Sequence, residues 1–236
     1  MIDKRTASAA DAVATVGDGA TVMIGGFGEA GSPIELIHAL IDNGARGLTV
    51  VNNNTGSGEV GLAALIKNGQ VDKMICSYPR SANSTVFPDL YRAGEIELEL
   101  VPQGTLAERI RAGGAGIAAF FTPTGAGTEL ANGKEVRDFG GRPHVLEHGL
   151  TADLALIKAQ VADWHGNLVF NKTARNFAPV MAMAAKHTSV QATTLVTPGA
   201  LDPEVVVTPG IFVDLVVHVE TPAQESDLVA NGASYP

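Results

Sequence analysis

The sequence is poor in cysteine, in positive charge and in long apolar runs. One cysteine, Cys76, stands among 236 residues, and the six histidines are scattered. A lone cysteine cannot close an internal disulfide, and without a Cys-x-x-Cys partner or clustered histidines no metal site is expected. Cys76, in "DKMICSYPR", reads as a small buried strand residue. Lysine and arginine total 16 against 25 acidic residues, a formal net charge of -9. That balance argues against nucleic acid as a partner, because phosphate binding needs local Lys and Arg. It does not exclude a small anion bound by backbone N–H groups at a helix N-terminus. No apolar run approaches the roughly 20 residues of a membrane span, and the N-terminus lacks a secretory h-region. No membrane partner is expected, and the expected location is the cytoplasm.

What is present is a hydrophobic fraction of 45%, arranged as short apolar runs alternating with helical patterns. "ATVMIGG", "GLTVVNNN", "VDKMICSY", "IELELVPQG", "IAAFFTPTGAG", "ADLALIKAQ" and "TSVQATTLV" read as strands. "SPIELIHALIDNGA", "EVGLAALIKNGQ", "TLAERIRAGGAG" and "PVMAMAAKHT" read as helices. The alternation predicts an α/β fold with a largely parallel sheet flanked by helices. Residues 132–149 read as a hairpin excursion turning at "GGRP". A single domain over 1–220 is expected, with a disordered polar tail over 221–236. In parallel sheets functional residues gather at the carboxyl ends of the strands. Here those loops are GGFGEAGSP, NNNTGSG, SYPRS, PQGT and FTPTGAG.

The first loop contains Gly26-Phe27-Gly28-Glu29-Ala30-Gly31, a G-x-G-x-x-G turn after an apolar strand. Ser32-Pro33-Ile34-Glu35 then reads as an S-x-x-E capping box with Pro33 at the first helical position. A dinucleotide site would need an acidic residue about 20 positions on, at the end of the second strand. Asn52-Asn53-Asn54 stand there instead, and the third glycine precedes the helix rather than lying in it. A nicotinamide or flavin site is therefore disfavoured, which leaves an anion cradle of another kind or a tight turn with no ligand.

The wider stretch Asp18-Gly19-Ala20-Thr21-Val22-Met23-Ile24-Gly25-Gly26-Phe27-Gly28-Glu29-Ala30-Gly31-Ser32-Pro33 resembles the signature of the α (A) subunit of family I coenzyme A transferases. "PQGTLAERIRAGGAGIAAFFTPTGAGT", "ADLALIKA", "GNLVF", "ARNFAP" and "VTPGIFVD" resemble the same family, so the likeness covers roughly residues 5–220. Within the family, "CSYPRSANSTVFPDLYRAGEIELELVPQGTLAERI" is most similar to the branch that moves CoA from succinyl-CoA to 3-oxoadipate in aromatic degradation.

The resemblance implies a ping-pong reaction through a glutamyl-CoA thioester. It implies that the nucleophilic glutamate lies on a second, B-type subunit in a Ser-Glu-Asn-Gly context that this chain lacks. An A2B2 heterotetramer is implied, with CoA thioester as substrate and no permanently bound cofactor. Glu29 and Glu59 are then solvated or capping carboxylates. Gly25, Gly26, Phe27, Gly28, Glu29, Ala30 and Gly31 are the candidates for lining the CoA or acyl pocket. Asn53, Asn54, Gln103 and Gly104 are the candidates for holding substrate or a tetrahedral oxyanion, which needs preorganised donors. Turn formation is the alternative for the asparagines. Phe27 and Phe121 are candidates for an apolar slot, and Arg80 or Lys67 for a substrate carboxylate. The rival readings are a complete enzyme using Glu29 or Glu59, a subunit of the acetate/acetoacetate-type transferases, and a non-catalytic ligand-binding module.

Overall fold

The structure, a computed structural model, describes residues 2–81 and 83–235; Met1, Ala82 and Pro236 lie outside the described residues. The chain runs through β1 (Arg5–Thr6), α1 (Ala9–Val13), β2 (Thr21–Ile24), α2 (Ile34–Asn43), β3 (Leu48–Val51), α3 (Gly61–Lys67), β4 (Val71–Cys76), α4 (Val86–Ala93) and β5 (Glu97–Leu100). It continues through α5 (Gln103–Gly114), β6 (Ala119–Thr122), β7 (Val136–Phe139), β8 (Arg142–His148), β9 (Ala152–Asp163) and β10 (Leu168–Val169). Then come α6 (Ala178–Ala184), β11 (Ala185–Val196), β12 (Leu215–His218) and α7 (Glu225–Ala230).

The main sheet has the order β1-β12-β11-β9-β2-β3-β4-β5, and every neighbouring pair on that path is parallel. Its central strands β2 and β3 are largely apolar because helices cover both faces. Side chains alternate across the sheet. Val22, Ile24, Leu48, Val50 and Met74 pack with α2 and α3 on one face. Met23, Val51, Ile75 and Ile157 pack with α5 and α6 on the other. The expected α/β architecture is thus present.

Strands β2 to β5 are added in one direction and β9, β11 and β12 in the other, so the order reverses between β2 and β9, paired through Val22 and Leu154. Open α/β sheets bind ligands at the carboxyl edge beside such a reversal.

Three expectations are corrected. β6 does not belong to the main sheet; it pairs antiparallel with β8, which pairs with β7 around Gly140-Gly141. The hairpin read over 132–149 therefore captures two strands of a three-stranded sheet, and FTPTGAG is not one of the carboxyl-end loops. The S-x-x-E capping box does not form. Pro33 is the N-cap of α2 and makes no side-chain cap bond. Glu35 instead accepts from Gln191 Nε2 and the Ala223 N–H, both at 2.6 Å.

Third, residues 221–235, expected to be disordered, fold back on the domain. α7 presents Glu225, which is 5% exposed, to the Ser57 N–H at 3.3 Å. Ser226 reaches Glu29. Tyr235 stacks on His38 with ring centroids 3.8 Å apart, and its hydroxyl donates to Asp42 at 2.8 Å. Among the described residues no helix is long and apolar enough to cross a membrane.

Candidate functional site

The carboxyl ends of β2, β3, β4 and β5 enclose a cleft of about 660 Å³. Its lining combines Phe27 and Gly28 from the loop after β2, Asn53, Asn54 and Ser57 from the loop after β3, Ser77, Tyr78 and Arg80 from the loop after β4, and Gln103 at the start of α5. Phe27 and Tyr78 are 52% and 62% exposed, which puts two aromatic faces at its mouth.

The asparagine run divides into different tasks. Asn52 Nδ2 donates to the Ile24 carbonyl at 2.7 Å and ties the β3 loop to β2. Asn52 Oδ1 accepts from the Asn54 N–H, and Asn54 Oδ1 from the Gly56 N–H, each at 2.8 Å. Both are side chains bonding to backbone two residues on, so Asn52 and Asn54 build the turn. Asn53 is different. It is buried, and its Oδ1 accepts from Ser77 Oγ at 2.7 Å and from Gln103 Nε2 at 2.8 Å. With the oxygen so occupied, the amide N–H₂ is the group of Asn53 with no partner among the described residues. Gln103 stands at the first position of α5, and one of its expected donors is taken up in holding Asn53. Gly104 lies one residue further into α5, outside the cleft lining.

The glycine loop is a partition rather than a single cradle. The Gly25 N–H goes to the Leu156 carbonyl at 2.9 Å and the Phe27 N–H to the Ala30 carbonyl at 3.0 Å. The Gly26 N–H goes to Asn176 Oδ1 at 3.2 Å. These three donors are taken by the protein itself. Phe27 and Gly28 face the cleft. Glu29, Ala30 and Gly31 face a second cavity of about 500 Å³ with Lys158, Lys172 and Gln224. Gly26, Gly28 and Gly31 have φ of +135°, +58° and +81°, which L side chains rarely adopt. Gly31 also passes so close to the 171–176 segment that a Cβ would lie 2.3 Å from the Ala174 carbonyl oxygen.

Asn176, quoted in the sequence only as part of "ARNFAP", fastens this loop from the other side of the β2–β9 reversal. Its Oδ1 accepts from Gly26 and Phe177, and its Nδ2 donates to the Ala30 carbonyl at 2.8 Å. It does so at φ +20°, with Lys172 nearby at +50°. Such backbone strain persists where surrounding contacts over-determine it. Lys158, in the middle of β9, is half-buried. Burial holds its ammonium below the ordinary lysine range, against the opposing pull of Glu35 and Glu29.

Other candidates fall outside the cleft. Phe121 lies in the small sheet, packed on Phe139 at 5.2 Å and covered by the Arg137 guanidinium at 4.9 Å. Lys67 pairs with Glu59 at 2.6 Å. Glu29 accepts from Ser226 rather than facing the Asn53 wall. Burial pushes the Cys76 thiol up to about 12, which keeps it protonated and inert. The serines Ser57, Ser77 and Ser81 carried no motif, yet Ser57 Oγ and Ser81 Oγ lie 2.9 Å apart and join two loops of the cleft. Among the described residues no group of three or more His, Cys, Asp or Glu could hold a metal ion.

The family profile for Coenzyme A transferase matches residues 6–219. The chain is 58% identical to the A subunit of 3-oxoadipate CoA-transferase from Pseudomonas putida, over 96% of this chain and 98% of that protein. It is 51% identical to the A subunit of a probable succinyl-CoA:3-ketoacid coenzyme A transferase from Bacillus subtilis, over 91% and 89% of the two chains. Among solved structures, an acyl-CoA transferase from Escherichia coli O157:H7 superposes with a TM-score of 0.82 at 24% identity. The match covers 94% of this chain and 48% of that one, and at that identity it speaks to the fold.

Proposed function

Because this chain belongs to the coenzyme A transferase family, as an A-type subunit, we propose that it works with a B subunit to move CoA from succinyl-CoA to 3-oxoadipate. The observation that carries the reading is the make-up of the cleft. It is lined by amide and hydroxyl donors, with Asn53 held by Gln103 and Ser77, and no carboxylate is among its lining residues. That is half of an acyl-transfer site: donors for a developing oxyanion, open toward a nucleophile from elsewhere.

In the proposed reaction a glutamate oxygen of the partner attacks the thioester carbonyl. The C–S bond breaks, CoA thiolate leaves, and an acyl-glutamyl anhydride remains. The thiolate then attacks the glutamyl carbonyl, releasing succinate and leaving a glutamyl-CoA thioester. The acceptor carboxylate repeats the sequence in reverse, ending as acceptor-CoA with the glutamate free. Each step passes through a tetrahedral oxyanion, which in this reading the Asn53 N–H₂ receives; its freedom from other partners among the described residues supports the role. Phe27 and Tyr78, at the mouth, would flank the pantetheine arm. The A2B2 assembly and the cytoplasmic setting belong to the same proposal.

The test is co-expression with a B subunit, followed by assay with succinyl-CoA and a panel of 3-oxoadipate, acetoacetate, acetate and butyrate. Transfer by the pair, none by this chain alone, and highest kcat/KM with 3-oxoadipate are expected. A covalent CoA adduct should appear by mass spectrometry on the partner. An adduct on this chain, or turnover by this chain alone, would overturn the division of labour. Preference for acetoacetate would overturn the acceptor.

A further inference from the structure

The lining of the cleft contains one charged side chain, Arg80. Its setting differs from that of most arginines in the chain. Arg5, Arg92, Arg109, Arg111 and Arg137 each hold a carboxylate at 2.6 to 2.7 Å. Arg46 bonds to the carbonyls of Asn68 and Gly69. Arg80 has no carboxylate or carbonyl acceptor for its guanidinium among the described residues, in a chain with 25 acidic residues. Arg142 and Arg175 also lack one, but neither lines this cleft.

Its backbone is fixed while its head group is free. The Arg80 N–H closes a tight turn on the Tyr78 carbonyl at 2.8 Å, across Pro79. The next residue, Ser81, is joined through its hydroxyl to Ser57 at 2.9 Å and bridges to Ser84. The 77–81 segment is thus anchored at both ends to the wall that also carries Ser77 and, through it, Asn53. Arg80 stands in the same cleft as the amide donors, on the segment that leads away from them.

Succinyl-CoA and 3-oxoadipate share one chemical feature: each carries a second carboxylate that takes no part in the thioester. Placing that anion in a cleft of a protein with net charge -9 is costly unless a cation meets it. A guanidinium offers a planar pair of donors matched to a carboxylate. We propose that Arg80 binds the free carboxylate of dicarboxylic acyl groups and so sets the preference for dicarboxylic over monocarboxylic partners in both half-reactions. This rests on the succinyl-CoA and 3-oxoadipate reading given above.

The test uses the assembled A/B complex with R80M and R80K. Donors are succinyl-CoA and butyryl-CoA, and acceptors are 3-oxoadipate and acetoacetate. A charged hydrogen bond is worth about 10- to 100-fold. In R80M, kcat/KM for the dicarboxylic partners should fall by that amount, and its ratio to the monocarboxylic value by at least about tenfold. R80K should recover part of the ratio. Equal losses for both classes would overturn the proposal and assign Arg80 to a CoA phosphate or to the fold. An unchanged ratio would also overturn it. If the wild-type complex prefers acetoacetate, the acceptor reading fails while the donor pair still tests Arg80. If the complex does not turn over, calorimetric titration with succinate and butyrate decides. At least about tenfold weaker succinate binding in R80M with butyrate binding unchanged supports the proposal; equal weakening of both, or no weakening of succinate, overturns it.

Discussion

Ser226 donates to one carboxylate oxygen of Glu29 twice, from its backbone N–H at 3.2 Å and from its hydroxyl at 3.0 Å. Beside it, Glu225 takes the Ser57 N–H, and Val229 sits over Gly58 where a Cβ would lie 2.5 Å from it. The 221–235 segment therefore straps together the glycine loop and the β3 loop, two walls of the cleft. Ser226→Pro removes both donors at the second position of α7, where a missing N–H breaks no helical bond. A loss of about 1 kcal/mol or less is expected, since the bonds are exposed. Hydrogen exchange should show faster opening of residues 28–31 and 57–59, with the sheet unchanged.

Glu225 adds a pH dependence to the strap. Burial first, and the Glu29 charge with it, push its carboxyl up to about 7, while the Ser57 N–H pulls the other way. The folded pKa lies above the ordinary value of 4.5, so the fold favours the neutral acid. That contribution is present in full below about 4.5 and is lost as pH rises through about 7. Wild type should lose stability between pH 5 and pH 8 relative to Glu225→Gln. Thermal melts at the two pH values check this; parallel changes in both proteins would refute it.

Glycine positions in the loop should separate sharply. Gly31→Ala brings a Cβ against the Ala174 carbonyl at 2.3 Å as well as an unfavourable φ, and should cost several times more than backbone strain alone. Gly28→Ala meets open space, so about 1 kcal/mol of left-handed strain is expected. Gly26→Val, at φ +135°, should lose transfer activity while still assembling with its partner. Denaturation midpoints and co-purification measure all three.

Asn53→Asp tests the proposed oxyanion donor with little change of shape. It keeps an acceptor for Ser77 and Gln103 but replaces the N–H₂ with oxygen. Removing one such donor typically lowers kcat by about 10²–10³. KM should move far less, while the carboxylate now buried without a cation should lower the melting temperature. Activity near wild type would remove Asn53 from the reaction.

Cys76, buried and with its thiol pushed up to about 12, should resist alkylation at pH 8 in the native protein and react fully in denaturant.

The main sheet and the asparagine loop were legible in the sequence because both depend on short-range signals. Short, mostly apolar segments mark β2, β3 and the second half of β4, and Asn52 and Asn54 obey local turn chemistry. The misreadings share one cause, competition from distant residues. Ser32 and Glu35 satisfy a local capping rule, but Gln191 and Ala223 claim the Glu35 carboxylate from 156 and 188 positions away. "AFFT" has the composition of a buried parallel strand, and nothing in its period says that it pairs with β8. The tail is polar and aperiodic, and its order comes from partners such as Glu29 and His38. Asn176 was invisible for the same reason, since the loop it fastens lies 150 residues earlier.

The reversal of strand order has a consequence for the nascent chain. Strands β2 to β5 are complete by residue 100, yet the other neighbour of β2, β9, begins only at Ala152. Until it emerges from the ribosome, the edge of β2 is unpaired, with Val22, Met23 and Ile24 awaiting cover that leaves them fully buried in the finished fold. Bare apolar edges template pairing between chains. Fragments ending before residue 152 should therefore aggregate under conditions where the full chain does not.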